Sequence, residues 1–265
     1  MAVTTSAAHA SGPPRISLRL VVNPTDELLE RSRQCEADAF MLRYGNTREQ
    51  LEEEYATYES RCFFISLADD VDDVIATTRV TAPGPAGLKT LHDCALPPWG
   101  VDAATALDEA GVDVSAAWDV TTISVRRGTR RATLASAALY YGLIQTMRAN
   151  GASATVAILD ERVRTLLRTL GLTYRPIPGT FPTEYLGSPA SVPVFAPFAE
   201  MMDEQRRRAP DSHRLVSLGI GLDGIALPPR SAFRYEPAAR SVDIRENAWS
   251  RGPALAGSTA GPAHR

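Results

Sequence analysis

An α/β chain, with a mixed sheet and helices on both of its faces, is the fold class the order of apolar runs predicts. Three observations carry that prediction. Two adjacent β-type runs, CFFISLAD (62–69) and VIATTRVT (74–81), are joined by the acidic turn DDVDD and read as an antiparallel hairpin. Further on, strand-like and helix-like runs alternate from Trp118 to Gly179, a β-α-β-α-β order that brings parallel pairing into the same sheet. A doubly wound dinucleotide fold is set aside, because no GxGxxG turn follows the first strand.

The elements follow in order. Residues 1–14, small, polar and proline-ended, read as a disordered N-terminus. ISLRLVV (16–22) alternates apolar and polar residues and reads as a strand. A helix over 26–43 follows, with Thr25 or Asp26 as its cap, and a second over 47–61 starts at the capping-box pair Thr47 and Gln50. After the hairpin, PGPAGLKTLHDCALPPWG (83–100) is too rich in proline and glycine for regular structure, and 101–116 is a short-helix candidate. The central strand, Trp118 to Val125, leads into an apolar helix from about Thr133. ATVAILD (154–160) reads as a buried strand. ERVRTLLRTLG (161–171) reads as a helix with Val163, Leu166, Leu167 and Leu170 on one face and Gly171 as its stop. Strands are expected over 172–179, 191–197 and 215–228, with a helix over 198–208, and 229–265 reads as a largely unstructured tail. One domain over 15–228 results.

Composition narrows the function classes. With 44% apolar and 22% charged residues the chain is an ordinary globular one, and its net charge of −3 provides no global field for nucleic acid. Cys35, Cys62 and Cys94 are far apart and the four histidines are scattered, so neither a metal site nor a His-based triad is indicated and reduced thiols are expected. No run approaches the ~18 apolar residues of a membrane span and no signal pattern opens the chain, which reads as cytoplasmic.

Chemistry concentrates at residues 117–150. A strand, a turn holding Arg126, Arg127, Arg130 and Arg131, and a helix start together suit an anionic ligand. Unpaired N–H groups and the helix dipole favour negative charge there. The bland alternative is a solvated charge run.

VRRGTRRATLASAAL (125–139) resembles the acyl-donor signature of the GNAT acyltransferase superfamily, and Leu170-Gly171-Leu172 resembles the step that ends the superfamily's later helix. The resemblance puts Arg130 in the place of the signature arginine, with Thr133 and Ala135 where its first and second glycines fall. It implies that Val125, Arg130, Arg131, Ala132, Thr133, Leu134 and Ala135 hold the diphosphate or phosphopantetheine arm of acyl-CoA or of an acyl carrier protein. It implies as well a GNAT-like, mostly antiparallel sheet and no tightly bound cofactor. Threonine for glycine at 133 narrows the approach to the phosphates.

A narrower resemblance spans about residues 30–200. TYESRCFFISL, VIATTRVTAPGPAGLKTLHD and AWDVTTISV are similar to the acyl-homoserine-lactone synthases and the long-chain N-acyl amino acid synthases. Glu54, Tyr58 and Glu59 stand for those families' acidic run, Arg79 for their hairpin arginine, and Trp118-Asp119 for their tryptophan-acid pair. Ala56 and Thr122 depart from the lactone-synthase pattern and count against S-adenosylmethionine chemistry, and YLGSPASVPVF (185–195) looks more like the amino acid synthases. Each residue has a structural alternative. Arg79 could pair with the acidic turn 69–73, Asp119 could tie the strand start, Glu54 and Glu59 could be solvated helix charges, and Trp118 could be core.

What the resemblance implies is an N-acyltransferase moving an acyl group, fatty by the narrower likeness, from a thioester to the amino group of an amino acid or related amine. An aliphatic amine with a pKa near ~10 needs a carboxylate to take its proton, and Glu59 and Asp119 are the candidates. Backbone N–H groups near Ile123 to Val125 would face the developing oxyanion, Glu54, Trp118 and Ile123 would line the substrate, and Arg79 would engage an acceptor carboxylate or order the acids. A short-chain acetyl-CoA-dependent N-acetyltransferase and a non-catalytic thioester-binding module are the alternatives. Carrier, acceptor and oligomeric state stay open. Arg130→Glu should abolish donor binding and leave the fold intact; an unchanged affinity for acyl-CoA in a titration of that variant would remove Arg130 from the site.

Overall fold

The computed structural model describes residues 18–129 and 132–236. Arg130 and Arg131, residues 1–17 and residues 237–265 lie outside the described residues.

Among the described residues nine strands form one sheet in the order β6-β8-β5-β4-β3-β2-β1-β9, with β7 pairing β8 off that path. These are β1 (Leu18–Val22), β2 (Cys62–Ala68), β3 (Val74–Thr81), β4 (Ala117–Val125), β5 (Ala154–Asp160), β6 (Arg175–Pro176), β7 (Thr183–Tyr185), β8 (Ser188–Pro197) and β9 (Ile225–Ala226). The expected hairpin is present as β2 and β3. All pairings are antiparallel except β4 with β5 and β1 with β9, so the sheet is mixed and mostly antiparallel, as expected.

Helices cover both faces. On one lie α1 (Asp26–Tyr44), α2 (Arg48–Tyr55), α3 (Lys89–Ala95) and α4 (Ala103–Glu109), and on the other α5 (Ala132–Ala149), α6 (Glu161–Thr169) and α7 (Phe198–Arg208). Thr47 and Gln50 form the capping box that starts α2, which tightens into a 3-10 turn over Ala56–Arg61. Thr25 precedes α1 without a side-chain cap bond. The main core lies between α5 and strands β1 to β4, where Leu20, Phe63, Ile65 and Trp118 meet Ala135, Ala138 and Leu139. Small residues on α5 let it approach closely: a Cβ on Gly142 would stand 2.7 Å from Ile65 Cγ2.

Four sequence expectations are corrected. The 83–100 loop contains α3, because KTLHDCA has neither proline nor glycine and Asp119 of β4 caps its first turn from outside the helix. The 172–179 strand shrinks to the two residues of β6. In 215–228, only Ile225–Ala226 is strand; Gly219, Gly221 and Gly224 all take positive φ, which breaks extended backbone, and a short helix (Pro210–Ser212) with a π-helical turn (His213–Ser217) comes before them. Residues 229–236, expected in the tail, pack on the core instead. Phe233 is buried in a 3-10 turn (Arg230–Phe233), and the Tyr235 ring stacks on Phe63 and meets Trp118 edge-on. A smaller miss is Leu166, expected on the buried face of α6 and in fact half exposed.

Gly142→Val should lower the unfolding free energy by about 1–3 kcal/mol, because the added branches push Ile65 and Leu20 of the sheet away from α5. Urea unfolding followed by tryptophan fluorescence reads this, and an unchanged midpoint would contradict the close approach.

Candidate functional site

The site forms where β4 and β5 part. These parallel strands pair only over Ala117–Asp119 against Ala154–Val156, and beyond that point the β5-facing edge of β4 has no strand beside it among the described residues. Just past the last pair, β4 carries a bulge. Arg79 opposes Thr122 and Val80 opposes Val120, so Thr121 is skipped in the register with β3, though its hydroxyl donates to the Arg79 carbonyl at 3.2 Å. A bulge bends its strand and puts two neighbouring side chains on the same face. Thr121 and Thr122 accordingly both face α1 and α2, Thr121 lining a cleft there and Thr122 donating to Glu36.

Alternation along the diverging strands gives the gap two unlike sides. Toward α1, α2 and α3, Thr121, Ile158 and Asp160 join Tyr55, Lys89 and Tyr185 around a polar cleft of about 80 Å³. Toward α5, α6 and α7, Val120, Ile123, Ala157 and Leu159 line a narrow apolar crevice of about 40 Å³.

Two charge clusters lie at the polar face. In the first, the Arg79 guanidinium donates to both oxygens of Glu36, at 3.1 and 3.2 Å from Nε and 2.5 Å from Nη2. It reaches Glu59 at 3.4 Å and stacks on the rings of Tyr55 and Phe64. Arg33 also pairs with Glu59. Arg79 is only 2% exposed; burial works against its charge, but Glu36 outweighs burial and raises its pKa. It does not pair with the acidic turn 69–73, whose Asp72 and Asp73 pair with Arg19 and Arg126. In the second cluster, Lys89 of α3 contacts Asp93 at 2.6 Å, Glu54 at 2.8 Å and the Tyr185 hydroxyl at 3.0 Å, and Tyr185 donates to Asp93 at 2.5 Å. Here too burial opposes the charge on Lys89, and the two carboxylates raise its pKa.

Asp119 is fully buried between β4 and α3. It accepts from the Thr90 backbone N–H at 2.7 Å and from the Thr90 hydroxyl at 2.9 Å. Burial pushes its carboxyl up to about 7, against the Thr90 bonds and Lys89 that lower it. Asp119 itself does not line the cleft; Thr90 does.

The structure thus brings Glu54, Glu59, Arg79 and Asp119 to one face, with Ile123 on the crevice on the other. Trp118 points into the main core against Phe63. Val125 is half-buried against that core; Ala132 and Thr133 are exposed in the first turn of α5, with Leu134 partly buried and Ala135 buried. Arg130 and Arg131 fall outside the described residues. Of the two departures noted above, Ala56 faces solvent, and Thr122 is built into the Glu36–Arg79 cluster. Among the described residues no group of side chains is arranged to hold a metal, the three cysteines are free thiols, and no helix is long and apolar enough to cross a membrane.

Sequence reasoning missed Glu36, Lys89, Thr90, Asp93 and Tyr185. Glu36 had a signal, since it falls four residues after Ser32 on the stripe α1 buries. Lys89 and Asp93 had the i,i+4 spacing of a helical ion pair, hidden by the prolines and glycines on either side.

Among solved structures the chain is similar to FeeM, an N-acyl amino acid synthase from uncultured soil microbes. The identity is 12%, covering 73% of this chain and 96% of that one, with a TM-score of 0.56. It is also similar to BjaI, a CoA-dependent acyl-homoserine lactone synthase solved with MTA, at 13% identity over 82% of this chain and 97% of that one, with a TM-score of 0.51. At such identities the likeness establishes the fold, which is GNAT-like. No family model matches the chain, and no curated protein matches it by sequence.

Arg79→Met leaves the Glu36 carboxylate buried without its cation and should cost about 3–5 kcal/mol in urea unfolding. Arg79→Met/Glu36→Leu removes both charges and should recover most of that loss. Equal losses in the single and double variants would mean that the pair is not the source of the cost.

Proposed function

We propose that this protein is a cytoplasmic N-acyltransferase that moves an acyl group, fatty rather than acetyl, from an acyl-CoA or acyl-carrier-protein thioester to the amino group of an amino acid or related amine. The observation that carries the reading is the parting of β4 and β5 with a polar cleft on one face and an apolar crevice on the other. A thioester in the gap would put its reacting carbonyl between an amine on the polar side and its hydrocarbon on the apolar side.

Each part of the reaction has a candidate group. The unpaired edge of β4 supplies backbone N–H groups toward a developing oxyanion, where losing one donor costs about 3 kcal/mol. The exposed first turn of α5 faces its N–H groups and dipole toward a phosphate arm, and Arg130 and Arg131 are assigned to the same arm from the sequence. The acceptor ammonium must lose a proton before it attacks. Asp119, near neutral in affinity and screened from solvent, takes that proton through the Thr90 hydroxyl that stands between it and the cleft. Glu59 lies farther along the face, held by Arg33 and Arg79, and Arg79 acts as a positioning residue for the acids. Trp118, Glu54 and Ile123 shape the surroundings, through the core, the Lys89 cluster and the crevice wall respectively.

The apolar crevice is what favours a fatty donor over the short-chain acetyl alternative, and the proton path through Thr90 favours turnover over passive thioester binding.

Incubation with a panel of acyl thioesters and amino acids, read by mass spectrometry, should yield N-acyl products from medium or long acyl chains; acetyl products alone would select the short-chain reading, and bound thioester without product the binding module. In the active pair, kcat/KM should rise with pH through about 7 as Asp119 ionises. Thr90→Val keeps the backbone N–H bond but removes the hydroxyl, and should lower kcat about 10²-fold or more, with Thr90→Ser near wild type. Full activity in Thr90→Val would eliminate the Asp119 path.

A further inference from the structure

The charges around the polar cleft are unequally matched. Lys89 lines it, and an ammonium has three N–H donors. All three are taken, by Asp93, Glu54 and the Tyr185 hydroxyl. Arg79 is sealed against Glu36 and does not line the cleft. Arg43 and Arg162 act on the Tyr44 phenol from outside the lining. Among the described residues, no cation lining the cleft has a donor left for an incoming carboxylate. Asp160, at the end of β5, is the opposite case. Its oxygens accept from the Arg162 backbone N–H at 2.8 Å and from the Ser188 hydroxyl at 2.8 Å, and it forms no ion pair with a described residue. A carboxylate can accept about four hydrogen bonds, so Asp160 keeps capacity for a cation. Two carboxylates already outnumber Lys89, and Asp160 adds to that excess of negative charge. Aromatic rings favour a cation as well. Tyr55 and Tyr185 stand 5.6 and 5.7 Å from the Lys89 ammonium, and Tyr44, which feels the charge of Asp160, packs on Phe40 in the same lining.

The sheet sets a length. Asp119 pairs with Val156, and Ile158 and Asp160 continue along β5 on the face that lines the cleft. Four residues of strand put Asp160 about 13 Å beyond the level of Asp119, and hydrogen bonds at the two ends take up about 3 Å each. Roughly 7 Å remains between two nitrogens, the reach of an extended chain of about four or five carbons. We propose that the acceptor is a diamine, a short aliphatic chain with an amine at each end and no carboxylate. Its reacting nitrogen sits at the Thr90 hydroxyl, and its second ammonium sits at Asp160 beside Tyr44. The inference rests on the transferase reading above and adds the class of acceptor to it. One ammonium yields a proton toward Asp119 and attacks the thioester carbonyl. The C–N bond forms, the C–S bond breaks, and the nitrogen's surplus proton leaves with the thiolate as thiol. The product is a monoacylated diamine that keeps one positive charge. An amino acid would instead bring its carboxylate toward Asp93 and Asp160, where like charges repel.

Binding tests this without requiring turnover. The full chain is titrated calorimetrically with cadaverine, pentylamine, 5-aminopentanoate and norvaline, which differ in what stands away from the reacting amine. The series is repeated on Asp160→Asn, which keeps a side-chain oxygen for the start of α6, and each protein is melted thermally. Cadaverine should bind wild type about tenfold or more tightly than pentylamine, as one added ammonium–carboxylate contact in a partly enclosed site provides. The two carboxylate-bearing acceptors should bind more weakly than pentylamine. Asp160→Asn should lose the preference for cadaverine, and in turnover the change should fall on KM rather than on kcat. Equal affinity of wild type for cadaverine and pentylamine, tighter binding of either carboxylate-bearing acceptor, no binding of any amine, or a preference that survives in Asp160→Asn overturns the proposal. The wild-type ranking decides alone if the melt shows that Asp160→Asn does not fold. Turnover of the same acceptors with a panel of acyl-CoA thioesters separates the two readings. Acylation of amino acids without a diamine preference defeats only the present inference, whereas a diamine preference in binding without turnover of any thioester defeats only the transferase.

Discussion

The short pairing of β4 with β5 is the constraint on which the rest of the site depends. Three residues on each strand pair, and then the strands separate. Had the ladder continued, Val120 to Val125 would be an interior strand with its backbone groups used up, as nearly all buried backbone groups are. Parting the strands exposes one edge of β4 at the centre of the molecule, where water is limited and dipoles count for more. The far edge of β4 stays fixed to β3 through Val125, so the open edge is held by an intact ladder behind it. Such a gap is stable because β5 finds its other neighbour in β8, with which it pairs along its whole length.

That rigidity is reinforced by charge. Glu36, Arg79 and Thr122 join α1, β3 and β4 by hydrogen bonds that no solvent reaches, and all three side chains are 3% exposed or less. Burying an ion pair gains little net stability, since desolvation offsets most of the attraction. What it does enforce is geometry. If α1 shifted along the sheet, a carboxylate would be left without its guanidinium, an error far costlier than a misplaced leucine. The network thus fixes the position of the bulge at Thr121, and with it which side chains reach the polar cleft.

Much of the fold was legible because its signals are local. The hairpin, the Thr47–Gln50 capping box, β5 and α7 each follow from a few neighbouring residues. The misses share a physical cause, which is that a distant partner decides the outcome. Helix α3 is preceded by Leu88, which has no capping side chain, and Thr90 in its first turn is capped by Asp119, 29 residues further along the sequence. Phe233 and Tyr235 look like parts of a polar tail until α5, Phe63 and Trp118 offer them a surface. Leucines and isoleucines made 215–228 look like strand, yet its glycines decide the backbone. The site divided in the same way. Arg79, Asp119, Glu54 and Glu59 were visible from their residue types and order, whereas Lys89, Thr90 and Tyr185 are brought to the cleft by an element that composition did not reveal.

Asp119 combines a structural contact with a shifted proton affinity. As a cap it accepts two hydrogen bonds from Thr90, and those bonds favour its ionised form. Complete burial disfavours the same form more strongly, and the balance leaves the carboxyl near neutrality rather than near 4. An exposed aspartate would bind a proton too weakly to help an amine lose one, and a buried aspartate without partners would never ionise. The cap supplies enough stabilisation to keep ionisation within reach of neutral pH, and it also supplies the one hydroxyl that links the carboxylate to the cleft. The same two hydrogen bonds fasten α3 to β4 and favour the ionised form of this carboxyl.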